Sequence, residues 1–246
     1  MSDKLQKLEE IYELVSKEPN NVPRETRKEF WRIVREIKKE QNPIEQEIMV
    51  AAKIRDVLFE ADRGGTYSLI VGLAVEGFFG ILGFVGYVWA LGISLEWSAL
   101  LSWSLTNWAV FVIRFLFVFA VIAFLYPFGR FIAGKWTGIR ILGMCRDQYY
   151  EPTLKIDYVT FLKASPVKRK RFFFFAGAWT IITSLWLGII GLVIDWDLTA
   201  FIPAILLILF EGNVIRSGNP KASGGEMGHY NREKLIEEEW KKTDSK

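Results

Sequence analysis

Long apolar segments alternate with strongly polar ones along this chain of 246 residues. Segments 67–95 and 98–126 each contain one charged residue, and segment 172–194 contains none. About 20 helical residues cross a bilayer core of about 30 Å, so each segment is long enough to cross it. A fourth segment, 198–210, covers only about 20 Å as a helix. It either re-enters the membrane or crosses it by continuing to residue 215, and the polar chain on both sides favours crossing. The pattern predicts membrane helices at about 67–95, 98–126, 171–194 and 198–215.

The polar segments carry weaker helical patterns. Before the first apolar segment, apolar residues recur at helical spacing in 3–18, 24–41 and 44–63, with Pro-containing breaks between them. Two interpretations of these helices remain open: a cap packed on the membrane domain, or an arm that docks another subunit. Residues 230–242 predict a short charged helix, and segment 142–165 fits either a strand or a helix lying on the membrane.

These patterns together predict the fold class, an all-α integral membrane protein with about four transmembrane helices. The predicted domains are a cytoplasmic amphipathic helical arm at 1–65, a membrane domain at 66–215 and a cytoplasmic C-terminal tail at 216–246. Within the membrane domain, residues 127–170 form a basic cytoplasmic loop. The first apolar segment lies too far along the chain for a cleaved signal peptide.

Lys and Arg fall on one side of this arrangement, with Arg114 as the exception. Residues 127–171 contain ten Lys and Arg against three acidic residues, whereas the two short connections carry only Glu96, Asp195 and Asp197. The positive-inside rule therefore places both termini and the loop in the cytoplasm, and we expect the cytoplasmic membrane as the location. An interfacial aromatic belt is expected near the opposite end, formed by Trp89, Trp97, Trp103 and Trp196.

A run of four cations precedes the third membrane helix: Lys168, Arg169, Lys170 and Arg171. Cations at the end of a membrane helix anchor it at the lipid headgroups, so we expect membrane lipids, including anionic headgroups, as partners. A specific lipid-binding site is an alternative. Nucleic acid is not expected as a partner, because the run lies at the membrane surface.

Two charged residues lie inside predicted membrane helices, Glu76 in the first and Arg114 in the second. Charged groups at such depth cost several kcal/mol and usually face protein or water. Counting from the cytoplasmic ends of antiparallel neighbours gives the two similar depths, so we predict a Glu76–Arg114 salt bridge. A structural role is favoured over a proton or ion path, because Asn107 is the one further polar group that we identify beside them.

The segment "YPFGRFIAGKWTGIRI", 126–141, closes the second apolar helix. It resembles the segment around H-E-x-x-H in site-2 intramembrane metalloproteases, in which two His bind zinc and Glu is the general base. The small residues and the Gly-apolar-basic-apolar ending match. The later segments "SPVKRKRFFFFAGAW" and "IPAILLILFEGNVI" resemble the family's next helix, with its Ala-Gly motif, and the segment of its third ligand. The resemblance extends over roughly residues 100–215.

The resemblance places Tyr126 at the first His, Pro127 at the base, Arg130 at the second His and Glu211 near the third ligand. A catalytic zinc ion needs about three N, O or S ligands, and a cation at a ligand position repels it. The chain has one His, His229, and one Cys. We therefore expect a protease-like scaffold without zinc, cofactor or proteolysis. Pro127 is expected to end or kink the helix, and Arg130 to pair with Glu211.

Three functions follow as hypotheses. The first is a non-catalytic accessory or scaffolding subunit that binds another membrane protein or complex. The second is a small transporter or channel that uses Glu76 and Arg114. The third is a residual membrane enzyme with a site of unrecognised type. No phosphate-binding loop is present, and Cys145 has no His base in evident reach.

Overall fold

The computed structural model describes residues 2–63, 65–101, 103–146, 152–219 and 225–244. Within these ranges the chain forms ten α-helices and one two-stranded sheet. The predicted helical class is therefore confirmed, with one short hairpin added to it.

Three amphipathic helices begin the chain: α1 (Asp3–Lys17), α2 (Arg24–Lys39) and α3 (Glu45–Arg63). Their bounds lie within one or two residues of the predicted ones. Their apolar faces meet in a core that includes Leu8, Phe30 and Ile48, all at most 2% exposed. The same core continues into Phe161 and Phe172 near the membrane helices. The three helices thus share one core with residues of the segment 158–173.

Among the described residues, three helices are long and apolar enough to cross a membrane: α4 (Leu69–Leu91), α6 (Leu105–Thr137) and α8 (Pro166–Asp195). A short helix, α5 (Trp97–Leu101), lies between the first two. The predicted fourth helix is α9 (Phe201–Ser217), whose 17 residues give about 25 Å. Helix α6 packs between α4 and α8, and α9 packs on α8. The helices therefore form a row with α4 and α9 at its edges.

Helix α6 differs from the predicted span 98–126. It begins at Leu105 and continues through Pro127 for another ten residues, so the expected end at Pro127 is wrong. Proline removes one backbone N–H, and neighbouring helices can compensate in a packed bundle. The carbonyl that loses its donor is that of Ala123, four residues before the proline. The same turn is held to α8 by the Trp179 indole, which donates to the Leu125 carbonyl at 2.9 Å. The helix instead ends at Gly138, whose φ of 78° is left-handed and disfavours other residues.

The segment with an open assignment divides into a hairpin and a helix. Strand β1 (Ile141–Arg146) pairs antiparallel with β2 (Pro152–Ile156), and α7 (Tyr158–Lys163) follows. The Asp157 carboxylate caps α7 by accepting from the Val159 N–H at 3.0 Å. The described residues up to Ile156 thus form the strands, and the helix begins after the capping residue Asp157.

Helix α10 (Gly225–Asp244) is longer than the predicted 230–242 helix and packs against α8, α9 and α2. The part of the chain predicted as a tail is therefore docked. We call the assembly of α1–α3, the hairpin, α7 and α10 the polar cap. It lies where α4 and α8 begin and α6 ends, and the opposite extremity of the row is called the α5 end.

Candidate functional site

Tyr126 and Arg130 lie one helical turn apart on α6, so their side chains project from the same face. Both reach Glu226 in the first turn of α10. The Tyr126 hydroxyl donates to Glu226 Oε1 at 2.5 Å, and Arg130 Nε donates to the same atom at 2.5 Å. Arg130 Nη1 also donates to Thr153 Oγ1 on β2 at 2.8 Å. We call these four residues the clasp, because they join α6 to α10 and to the hairpin.

The predicted partner of Arg130 is wrong, since Glu226 occupies the place expected for Glu211. The prediction treated the C-terminal segment as a free tail, whereas docking of α10 brings a nearer carboxylate. Glu211 lies beside the clasp: a Cβ atom on Gly225 would sit 3.3 Å from Glu211 Oε1. The Oε2 atoms of Glu211 and Glu226 are buried and have no hydrogen-bond partner within the part of the chain that the structure describes.

The Ala-Gly motif on α8 allows α10 to cover the clasp. A Cβ atom on Gly177 would lie 2.7 Å from Met227 Cε and 3.2 Å from Glu226 Cβ. Because glycine leaves this space open, the first turn of α10 can rest against α8. Glu226 is only 3% exposed as a result. The position that resembles a catalytic centre is thus covered by the chain's own C-terminal helix.

Of the four clasp residues, Glu226 alone is of a type that commonly binds zinc. Across the described ranges no group of three or more His, Cys, Asp and Glu side chains could hold a metal ion. His229 lies on α10 and stacks on Phe173, with ring centroids 4.7 Å apart. Chemically, the clasp pairs the Arg130 guanidinium with the Glu226 carboxylate, which also accepts from the Tyr126 hydroxyl, while Thr153 accepts a second bond from Arg130. These contacts hold three elements together.

The predicted Glu76–Arg114 salt bridge is also wrong. Glu76 accepts from Arg146 Nη2 on β1 at 2.6 Å, at the polar cap. Arg114 instead lies at the α5 end, where it donates to the Ala90 and Ile93 carbonyls at 3.3 and 2.6 Å. Fourteen residues of α4 separate Glu76 from Ala90, a rise of about 21 Å. The predicted depths matched only because α6 was assumed to end near residue 126.

Arg114 is the centre of a second polar cluster that joins the membrane helices. It donates to Asp197 Oδ1 at 2.8 Å and to Asp195 Oδ2 at 2.6 Å. Asp197 also accepts from the Tyr87 hydroxyl at 2.9 Å and from Thr199 Oγ1 at 2.8 Å. Arg114 and Asp197 are both 0% exposed. We call this set the Arg114 cluster.

Sequence reasoning missed Asp195 and Asp197 as partners, because it used them only to orient the chain. A usable signal was present: one buried cation within a helix, and two carboxylates in a short connection at the same end of the bundle. These carboxylates supply the counter-charge that the buried Arg114 guanidinium needs, and neither of them lies in the middle of a membrane helix.

The basic run at the start of α8 is divided between two roles. Lys168 and Arg171 are exposed, as headgroup contact requires. Arg169 is 1% exposed and donates to Glu233 Oε2 at 2.6 Å and to the Ala164 carbonyl at 2.5 Å, so its assignment to headgroups is wrong. Lys170 pairs with Glu237. The carboxylates come from α10, which lies along the first turns of α8.

No family model, curated protein or solved structure gives a significant match to this chain.

Proposed function

We propose that this chain is a non-catalytic membrane protein with a protease-like scaffold, which serves as an accessory or scaffolding subunit for another membrane protein or complex. The clasp is the observation that carries the proposal. Two of the positions that resemble zinc ligands, Tyr126 and Arg130, are engaged by Glu226. Pro127, at the place of the base, is buried within α6. In this proposal, Tyr126 and Arg130 serve to hold α6 against α10 and not to bind a metal ion.

The proposed orientation follows the positive-inside rule. The polar cap would lie in the cytoplasm with both termini, and α9 would be the fourth membrane crossing. At the α5 end, Trp89, Trp103 and Trp196 are 62%, 81% and 81% exposed, which suits an aromatic belt at the opposite interface. Lys168 and Arg171 would then contact anionic headgroups from the cytoplasmic side.

The helix row supports a lateral partner. Helix α4 exposes large apolar side chains along its length, including Ile70 (80%), Ile81 (63%) and Val85 (57%), and α9 exposes Leu206 and Leu209 (58% and 65%). Lipid covers such surfaces in a lone protein, and the helices of a partner cover them in a complex. A transporter is the second hypothesis, but Glu76 and Arg114, the pair on which it would rely, lie near opposite ends of the helix row.

Purification of the full chain in mild detergent, without chelators, tests the proposal. We expect a stoichiometric membrane-protein partner to co-purify and zinc to remain far below one ion per chain. A homogeneous protein without a partner would contradict the accessory role. One zinc ion per chain, lost in Glu226→Ala but retained in Glu238→Ala on the same helix, would favour a residual enzyme.

A further inference from the structure

A large cavity lies inside the polar cap. It has a volume of about 1060 Å³, is partly open, and is lined by residues of α2, α3, β2, α7, α10 and the first turns of α8, with clasp residues at one edge. Ligand pockets in proteins commonly measure about 300–1,000 Å³. The cavity is therefore large enough for an organic molecule the size of a nucleotide or of a lipid headgroup with part of its chains.

Positive charge dominates its lining. Eight Lys and Arg residues line the cavity against three acidic residues. Each of these acids already has a cation: Asp62 pairs with Arg27, Glu233 with Lys38 and Arg169, and Glu239 with Lys39. Arg130 pairs with Glu226 in the clasp, so these acids leave the other arginines of the lining without a carboxylate of their own.

Four arginines in the lining form no ion pair with any carboxylate of the described residues: Arg35, Arg55, Arg63 and Arg232. Arg55 and Arg63 rest instead on the ring of Phe59, with centroid distances of 4.6 and 4.9 Å. Arg232 donates Nε to the Gly228 carbonyl at 3.2 Å, which leaves its terminal nitrogens for another acceptor. Burial lowers the pKa of Arg55, as expected for a cation without a paired anion.

An aromatic wall completes the cavity. Tyr158 stacks on Phe161 with centroids 5.4 Å apart, and Phe161 meets Phe173 edge-on at 5.9 Å. His229 stacks on Phe173 and faces the cavity. Burial and the nearby cations Arg232 and Lys38 lower the pKa of His229 to about 3, so this ring is neutral at physiological pH. Tyr158, Phe161 and Phe173 are only 6%, 3% and 7% exposed, so they support the His229 ring, and His229 is the ring that an apolar or flat group can contact.

We propose that this cavity binds a phosphate-bearing organic anion, with its charged group on the arginines that lack a carboxylate partner, among them Arg55 and Arg232, and its apolar or aromatic portion beside the ring of His229. Guanidinium groups bind phosphate oxygens in pairs, and several of them match a multiply charged group better than a single carboxylate. A shallower depression of about 410 Å³ runs along α2 and shares Arg27, Trp31 and Arg35 with the cavity. It extends the positive field towards solvent and attracts anions.

Two sources can supply this chemistry, a soluble nucleotide or an anionic phospholipid, and binding assays on the purified full chain distinguish them. One arm titrates ATP into the detergent-solubilised protein. The other measures co-purification of phosphatidic acid, against phosphatidylcholine, from nanodiscs that contain both lipids. We expect saturable binding of one of the two probes at micromolar concentration. If neither ATP nor phosphatidic acid binds below the millimolar range, the proposal is overturned.

Matched variants locate the site. Arg55→Gln with Arg232→Gln removes two cations of the cavity, and the control Lys53→Gln with Lys234→Gln removes two exposed cations of the same helices outside it. Each lost arginine contact should weaken binding about tenfold, so the double variant about a hundredfold. The control should bind as the wild type does. Equal binding by both double variants, or equal losses in both, contradicts the proposal. Arg232→Gln alone changes an exposed side chain and replaces the double variant should the latter fail to fold.

Discussion

Arg114→Met should prevent the membrane helices from assembling stably. The substitution leaves Asp197, which is 0% exposed, as a buried carboxylate without its cation. Removing one partner of a buried pair costs about 3–5 kcal/mol, a large share of the stability of most folded chains. Thermal unfolding in detergent, followed by size-exclusion chromatography, should show a much lower midpoint or an aggregated protein.

The control for this variant is Lys135→Met, which removes an exposed cation from the same helix. It should unfold as the wild type does. Adding Asp195→Asn and Asp197→Asn to Arg114→Met should recover part of the loss, because neutral amides no longer need a cation and Tyr87 can still donate to one of them. An Arg114→Met protein as stable as Lys135→Met would refute the Arg114 cluster as a structural centre.

Glu233→Gln should loosen the polar cap by a comparable amount. Glu233 and Arg169 are both 1% exposed and pair directly, and Lys38 pairs with the same carboxylate. Without Glu233, two buried cations from α8 and α2 face each other without an anion. We expect a loss of about 3–5 kcal/mol and faster hydrogen exchange throughout α10. Glu238→Gln, an exposed neighbour on α10, should leave the exchange unchanged.

The same carboxylate makes the polar cap sensitive to acid. Burial works against the charge of Glu233, but Lys38 and Arg169 outweigh burial and hold its pKa below its ordinary value of 4.5. The unfolded chain therefore takes up this proton before the folded chain does. The stabilisation is complete above about pH 4.5 and is lost as the pH falls through the lowered pKa. The difference in unfolding midpoint between wild type and Glu233→Gln should shrink only below that pH, and a constant difference down to pH 3 would contradict this.

Apolar length and periodicity were enough to predict most of the helices. The amphipathic helices α1 to α3 follow from the spacing of apolar residues, because burial of one face requires apolar residues at helical intervals. The spans of α4 and α8 follow from the length of their apolar segments. The extension of α6 beyond Pro127 has no comparable hydrophobic pattern, and the proline itself favours a helix end. It accompanies tertiary packing of α6 on α8, whose Trp179 donates to the Leu125 carbonyl two residues before the proline.

The docking of α10 was harder to foresee, because its buried face is largely polar. Glu226, Asn231, Glu233 and Glu237 are all at most 9% exposed, beside apolar Met227 and Ile236. The sequence of such a helix shows little hydrophobic periodicity and resembles the sequence of a helix exposed to solvent. The complementary signal was the basic run 168–171 on α8, which attracts an acidic helix as readily as it attracts headgroups. Once α10 is placed on α8, the partners of Arg130 and Arg169 follow from it.

Charge exchange across the clasp tests the central claim, that the position resembling a catalytic centre holds the scaffold together. Arg130→Glu or Glu226→Arg alone should release the first turn of α10, seen as rapid hydrogen exchange at residues 225–230. Both changes together should restore slow exchange, because the ion pair is rebuilt with its charges reversed. Lys135→Glu, one turn further along α6, should leave exchange at these residues unchanged. Unchanged exchange in both single variants, or no recovery in the double variant, would contradict the account.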